Sequence, residues 1–226
     1  MSGAADTEFG YLPADRHARR MDAIYALQRH VYDLTRKYYL LGRDHLINGL
    51  DVPPGGSVLE LGCGTARNLI LTGQRYSDAR IYGLDISAEM LKTARTKIAN
   101  AALVHRTALA RADATDFDPL TLFGQTGFDR VFCSYTLSMI PDWQSALGMA
   151  IRALAPNGQL HILDFGQQER LPGLRPILHA WLARFHVTPR ADLFDTCRNA
   201  ANEQGLRIEA NSLYRDYARA VMLRRP

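Results

Sequence analysis

An α/β fold, with a mostly parallel sheet flanked by helices, is what this sequence predicts, and three observations carry the prediction. An apolar run, Val58–Leu61, breaks at Gly62, passes through Gly64 and resumes with helical spacing at Leu69, which reads as strand, tight glycine turn and helix. A second run, Arg80–Leu84, ends in Asp85 and is followed by another helical pattern. The alternation then continues through Phe128–Ser134 and Gln159–Phe165, the order of elements that builds a parallel sheet.

The chain has 226 residues, enough for one well-packed domain with an appended element and short for two. Its 47% hydrophobic and 22% charged residues are ordinary for a globular protein, so disorder and a fibrous class are excluded. A formal charge of +4 suits an acidic substrate or an anionic membrane surface and is too weak to imply nucleic acid. Cys63, Cys133 and Cys197 show no metal-ligand or C-x-x-C spacing, so no metal is expected and the thiols read as reduced, in a cytoplasmic protein. Met1–Gly10 lacks the apolar core of a secretory leader, and no apolar run is long enough to span a bilayer.

Taken in order, residues 1–14 are expected to be a flexible N-terminus, 15–50 a helical cap, and 51–226 the ligand-binding domain. No glycine or proline interrupts Asp15–Leu41, and its apolar residues recur at helical spacing. Ile24, Leu27, Val31, Leu34, Tyr38 and Leu41 form the stripe expected to pack on the domain, while Arg29, Asp33 and Lys37 face solvent. Between them runs a stripe of Tyr25, Gln28, Tyr32, Thr35, Arg36 and Tyr39. Any one of these tyrosines is explained by packing with its hydroxyl in water; three on one face of a segment preceding a ligand fold point to a lid.

Pro53-Pro54-Gly55-Gly56 is the linker into the first strand. The glycines of the turn that follows let a ligand approach the backbone, at the carboxyl edge where nucleotide-like ligands bind in such sheets. Asp85 ends the second strand, placed to accept hydrogen bonds from ribose hydroxyls; the competing reading is a cap for the helix that opens at Ser87-Ala-Glu-Met90. The dinucleotide fingerprint G-x-G-x-x-G fails, because Arg67 stands three positions after Gly64. A third strand ends in Ala110–Thr115, and the fourth, Phe128–Ser134, runs into Tyr135–Trp143. Pro141 is expected to begin a helix through Leu154, Ala155-Pro-Asn-Gly158 to turn, and Gln159–Phe165 to form the fifth strand. Leu174, Ile177, Leu178, Trp181, Leu182 and Phe185 then make an apolar helix face flanked by Arg170, Arg175, Arg184 and Arg190. Such a face caps the sheet or, given its basic flanks, touches a membrane. Asn211–Arg225 closes the chain as one or more strands.

The remaining pattern, E-x-G-x-G-x-A from Glu60 to Ala66, resembles the first motif of class I S-adenosylmethionine-dependent methyltransferases, and Asp85, Asp113, Ser134–Trp143 and the Ala155–Phe165 turn and strand fall where that family's later landmarks do. The resemblance implies a Rossmann-like sheet of seven strands, the last antiparallel, with S-adenosyl-L-methionine as cofactor. It implies a cofactor site of Tyr32, Glu60, Gly62, Cys63, Gly64, Asp85, Ile86, Met90, Asp113, Ala114, Ser134 and Tyr135, with Asp113 on the adenine amino group. Tyr25–Arg43, Ser134–Pro141 and Trp181–Arg190 are similar to a narrower group, bacterial betaine-lipid N-methyltransferases. That similarity implies trimethylation of diacylglyceryl homoserine by a protein lying peripherally on the inner face of a membrane.

Methyl transfer from a sulfonium to an amine is a direct displacement that needs alignment, exclusion of water and a neutral amine. Tyr32, Tyr135 and His186 are the candidates for positioning or proton removal, Tyr25 and Tyr39 for the acceptor's surroundings, and Arg190 or Arg36 for a substrate carboxylate. A lone histidine after a helix is also the pattern of a cap or surface residue. The rival readings are a phosphatidylethanolamine or quinone methyltransferase and a non-catalytic S-adenosylmethionine-binding subunit. Partners are therefore a lipid or small-molecule amine and an anionic membrane surface; oligomeric state is not legible.

Overall fold

The computed structural model describes residues 40–169, 173, 175–184 and 187–226; the helical stripes expected upstream of Leu40 lie outside the described residues. Seven strands form one sheet: β1 Ser57–Leu61, β2 Arg80–Asp85, β3 Thr107–Arg111, β4 Phe128–Ser134, β5 Leu154–Phe165, β6 Arg207–Leu213 and β7 Ala218–Arg224. Their order is β3-β2-β1-β4-β5-β7-β6. Pairing is parallel from β3 through β5, and β7 runs antiparallel to both β5 and β6. The sheet is therefore the Rossmann-like one expected, six strands pointing one way and the last the other.

Among the described residues the helices are α1 Arg43–Asn48, α2 Arg67–Arg75, α3 Ala88–Asn100, α4 Pro119–Phe123, α5 Trp143–Arg152, α6 Arg175–Ala183 and α7 Leu193–Gln204. Every residue of β1 is buried, as a central parallel strand covered on both faces requires. Alternate residues then feed opposite layers. Leu59, Leu61, Leu84 and Val131 pack with α5 and α7 through Leu147, Ala150, Leu193 and Cys197. Val58, Ile81 and Phe132 pack with α1, α2, α3 and α6 through Leu46, Leu69, Ala94 and Leu182. Strand order reverses between β1 and β4, and the crevice at such a switch point is where these sheets place ligands.

Local departures from the expected elements have physical causes. α5 starts at Trp143, two residues after Pro141, because the Asp142 carboxylate accepts from the Ser145 N–H and caps it there. β5 already begins at Leu154: Leu154 pairs with Phe128, the register shifts, and pairing resumes at Arg130 with Gln159. The expected turn survives inside that irregularity, where a Cβ on Gly158 would sit 2.9 Å from the Phe128 carbonyl oxygen. α6 buries Leu182 and half-buries Leu178 and Trp181, yet leaves Ile177 67% exposed, so the expected apolar face only partly caps the sheet. Leu41, expected in the packed stripe, is exposed, and its neighbour Leu40 is buried instead. The closing segment is a hairpin, β6 and β7, whose turn carries Tyr214, Arg215 and Asp216 all at positive φ.

Candidate cofactor and acceptor site

The turn between β1 and α2 holds the first group of candidates. Gly62 has φ +69°, and a Cβ there would lie within 2.9 Å of the Thr136 hydroxyl. Gly64, at φ +52°, has nothing within 4 Å of the equivalent position, so the turn is closed against β4 at one glycine and open at the other. Ala66 also adopts the left-handed region, at φ +65°, and is fully buried. An alanine is thus accommodated at this step, in a conformation that costs an L-residue roughly 1–2 kcal/mol. Cys63 donates its N–H to the Leu84 carbonyl at 2.9 Å, and burial pushes its thiol well above the ordinary range. Lys97 of α3 reaches the Thr65 hydroxyl at 3.2 Å.

Of the two competing readings for Asp85, the cap of α3 falls to Ser87, while Asp85 accepts backbone hydrogen bonds on both carboxylate oxygens. One carboxylate oxygen accepts from the Gly64 N–H at 2.8 Å and the other from the Ser87 N–H at 2.9 Å. Ser87 itself caps α3 by accepting from the Met90 N–H. Asp85 therefore fixes the glycine turn. Asp113, past the end of β3, accepts from the Thr115 N–H and hydroxyl, at 2.9 and 2.7 Å, both at Oδ1, which leaves Oδ2 to a ligand amine. Met90 and Ala114 are buried, and the Ile86 carbonyl accepts from Arg111.

Glu60 is 1% exposed. Its Oε1 accepts from the Asn68 side-chain amide at 2.7 Å, and its Oε2 has no hydrogen-bond partner. Burial pushes its carboxyl up to about 8, against the opposing pull of Asn68 and Arg43. Asn68, which holds Glu60, was not among the expected site residues; the only cue was an amide in the first turn of the helix after the glycines.

Beyond β4 the backbone turns sharply. Tyr135 lies at φ +57°, an outlier for a bulky residue, and its N–H donates to the Leu163 carbonyl at 2.7 Å. Its ring packs 4.5 Å from Phe165 and its hydroxyl donates to the Leu41 carbonyl at 2.6 Å. Burial raises its ionisation, so of the two roles expected for it this phenol fits positioning rather than proton removal. The Ser134 and Ser138 hydroxyls at this turn are buried without hydrogen-bond partners. Asp164, at the end of β5, accepts from the Ser138 N–H at 3.0 Å and the Phe165 N–H at 2.8 Å; burial raises its carboxyl.

Arg190 donates from Nε to the Leu137 carbonyl and from Nη2 to the Ile140 carbonyl, and lies over the Trp143 ring. Its guanidinium braces the turn after β4, in competition with the substrate carboxylate expected for it. Tyr25, Tyr32, Arg36, Tyr39 and His186 lie outside the described residues. Among the described residues no cluster of histidine, cysteine or carboxylate side chains could hold a metal ion.

The residues present fit the expected cofactor. Glu60 offers an unpartnered buried carboxyl oxygen to an ammonium, the Gly64 side of the turn has open space beside it, and Asp113 offers its Oδ2 to an amine.

Comparison with known proteins points the same way. Residues 58–158 match the family model described as a methyltransferase domain. The demethylmenaquinone methyltransferase of Listeria monocytogenes serotype 4a is 30% identical over 149 residues, 66% of this chain and 60% of that protein. The ubiquinone/menaquinone biosynthesis C-methyltransferase UbiE of Marinomonas is 27% identical over 172 residues, 72% of this chain and 66% of that protein. The chain thus spans less than two thirds of the length of the Listeria relative. Among solved structures, the S-adenosylmethionine-dependent methyltransferase SibL superposes with a TM-score of 0.66 at 21% identity, covering 97% of this chain and 71% of SibL, which shows the shared fold. The glycine turn braced by Asp85 and strands β2, β3 and β4 lie inside residues 58–158, the stretch that matches the methyltransferase domain, and the sheet around it has the fold shared with SibL.

Proposed function

We propose that the chain transfers a methyl group from S-adenosylmethionine to a lipophilic small molecule, with a ring carbon of a quinol as acceptor. The observation that carries this reading is the name shared by its relatives: both the Listeria and Marinomonas proteins are quinone-pathway methyltransferases by name. The cofactor, when bound, supplies a methyl group made electrophilic by its sulfonium sulfur. Everything else falls to the chain's own side chains. Gly64 leaves the turn open to the ligand while Gly62 packs it against Thr136, Asp85 and Asp113 orient the ligand's polar edges, and the buried turn after β4 excludes water. A hydroxylated ring is nucleophilic at carbon once its hydroxyl is held and deprotonated. The unpartnered hydroxyls of Ser134 and Ser138 are polar groups that such a ring hydroxyl would satisfy.

The second reading is N-methylation of diacylglyceryl homoserine, favoured by the Tyr25–Arg43 resemblance, most of which lies outside the described residues. Phosphatidylethanolamine is the third acceptor to compare. Ile177, exposed on α6 with Arg175 at the helix start and Arg184 just past its end, supports peripheral contact with an anionic membrane under any of these readings. No helix among the described residues is long and apolar enough to cross one.

Incubating the protein with labelled cofactor and liposomes carrying demethylmenaquinol, diacylglyceryl homoserine or phosphatidylethanolamine, with and without anionic lipid, tests the proposal by product mass. Methylation of the quinol is the expected result. Methylation of the homoserine lipid alone would replace the first reading with the second. Binding of S-adenosylhomocysteine without turnover on any acceptor would point to a non-catalytic subunit.

A further inference from the structure

We propose that Asn68 is a positioning residue for Glu60, and that binding of the cofactor's ammonium end expels a proton from the Glu60 carboxyl, so that cofactor uptake is coupled to proton release. The inference rests on the cofactor reading above and extends it to a property that the binding step alone reports.

The geometry sets up the coupling. Glu60 is the penultimate residue of β1, two residues before Gly62, is almost wholly buried, and divides its two oxygens unequally. Oε1 is held by the Asn68 amide at 2.7 Å; Oε2 has no partner. An ionised carboxylate with one bare oxygen in a closed site is unfavourable, because nothing replaces the lost hydration of that oxygen. The neutral acid avoids the cost until a cation arrives.

The charged and titratable groups around it come from every adjoining element. Arg43 of α1 and Arg67 of α2 favour ionisation, whereas Asp85 of β2 opposes it. Cys63 on the turn and Cys133 on β4 also sense the Glu60 charge, and both remain neutral thiols because burial pushes them up. In balance, burial outweighs the arginines and holds the carboxyl up to about 8. An ammonium placed against Oε2 reverses that balance: the O–H bond breaks, the proton goes to bulk buffer, and an ion pair takes its place.

Calorimetric titration of the full chain with S-adenosylhomocysteine, in buffers of differing ionisation heat near pH 7, measures the proton count. The expected release is about one proton per ligand bound, with affinity rising up to about tenfold per pH unit below the Glu60 midpoint. Methylthioadenosine, which lacks the ammonium, should bind with no release. E60Q should abolish both the release and the pH slope. Asn68→Leu should move the midpoint of the affinity profile to higher pH, because the hydrogen bond that favours ionisation is gone.

Release below about 0.2 proton by the wild-type protein, or equal release by E60Q, overturns the coupling. An unmoved midpoint in Asn68→Leu overturns the positioning role. If E60Q does not fold, the wild-type count and the methylthioadenosine comparison decide. No detectable binding of S-adenosylhomocysteine at all is a different failure, that of the cofactor reading itself.

Discussion

The Tyr135 hydroxyl donates to the Leu41 carbonyl oxygen across 2.6 Å, tying the turn after β4 to the chain just ahead of α1. The bond joins positions 94 residues apart in sequence. It also explains why a bulky residue is held at φ +57°: the left-handed turn delivers the ring between Phe165 and α1's approach. Tyr135→Phe should therefore keep the packing and lose the tether. The expected cost is about 1 kcal/mol in urea unfolding, with S-adenosylhomocysteine affinity changed less than about threefold.

Gly62 and Gly64 should respond differently to the same substitution. Gly62→Ala combines a left-handed backbone with a clash against Thr136, and should destabilise the fold by about 2–3 kcal/mol. Gly64→Ala meets open space and should fold with a loss near 1 kcal/mol, while its methyl group takes ligand volume and weakens cofactor binding at least about tenfold. Thermal melts paired with ligand titrations separate the two outcomes.

Two buried carboxyls predict opposite pH trends in stability. Glu60, raised by burial to about 8, binds its proton more tightly when folded than when unfolded. Its contribution is fully present below the ordinary glutamate range and is lost as pH rises toward 8, by at most about 1.4 kcal/mol per pH unit. Burial raises Asp216 too, but Arg219, Ser212 and the Gln167 N–H outweigh it and hold the carboxyl below its usual value. Its contribution is present at neutral pH and disappears as pH falls through that lowered value. Cofactor-free E60Q should lose the alkaline decline, and Asp216→Asn the acid decline, in denaturation midpoints measured across pH.

Arg190→Met should expose which role that guanidinium serves. As a brace it holds the Leu137 and Ile140 carbonyls, so the substitution should destabilise the cofactor-free protein by about 1–3 kcal/mol and speed amide exchange across 137–140. A residue serving only a substrate carboxylate would leave both unchanged and raise KM alone.

The legible parts of the fold were those with strong local signals. Val58–Leu61, Gly62, Gly64 and Asp85 announce strand, turn and strand end through residue type and spacing, and the structure places them as read. Helix α7 went unread because its fully buried stripe is only Leu193, Cys197 and Ala201, with polar residues such as Asp195, Arg198, Asn199, Asn202 and Glu203 between them. Two of the three stripe residues are small, so the apolar period barely rises above its polar surroundings. Short helix α4 carried a capping signal, Asp118 before Pro119, on a segment too brief for periodicity to show. Asn68 was invisible for another reason: its meaning depends on Glu60, eight residues back on a different element.

By itself, then, the sequence determined the alternation of strands and helices, the glycine turn and the carboxyl-edge acids, because these follow from short-range periodicity and backbone sterics. Tertiary structure alone decided which side chains meet. It set Glu60 against Asn68, Asp85 against the Gly64 N–H, Tyr135 against Leu41 and Arg190 against the turn it braces. Each of those partnerships depends on burial and on contacts between distant elements, and burial is what pushes the carboxyl of Glu60, one residue before the end of β1, up to about 8.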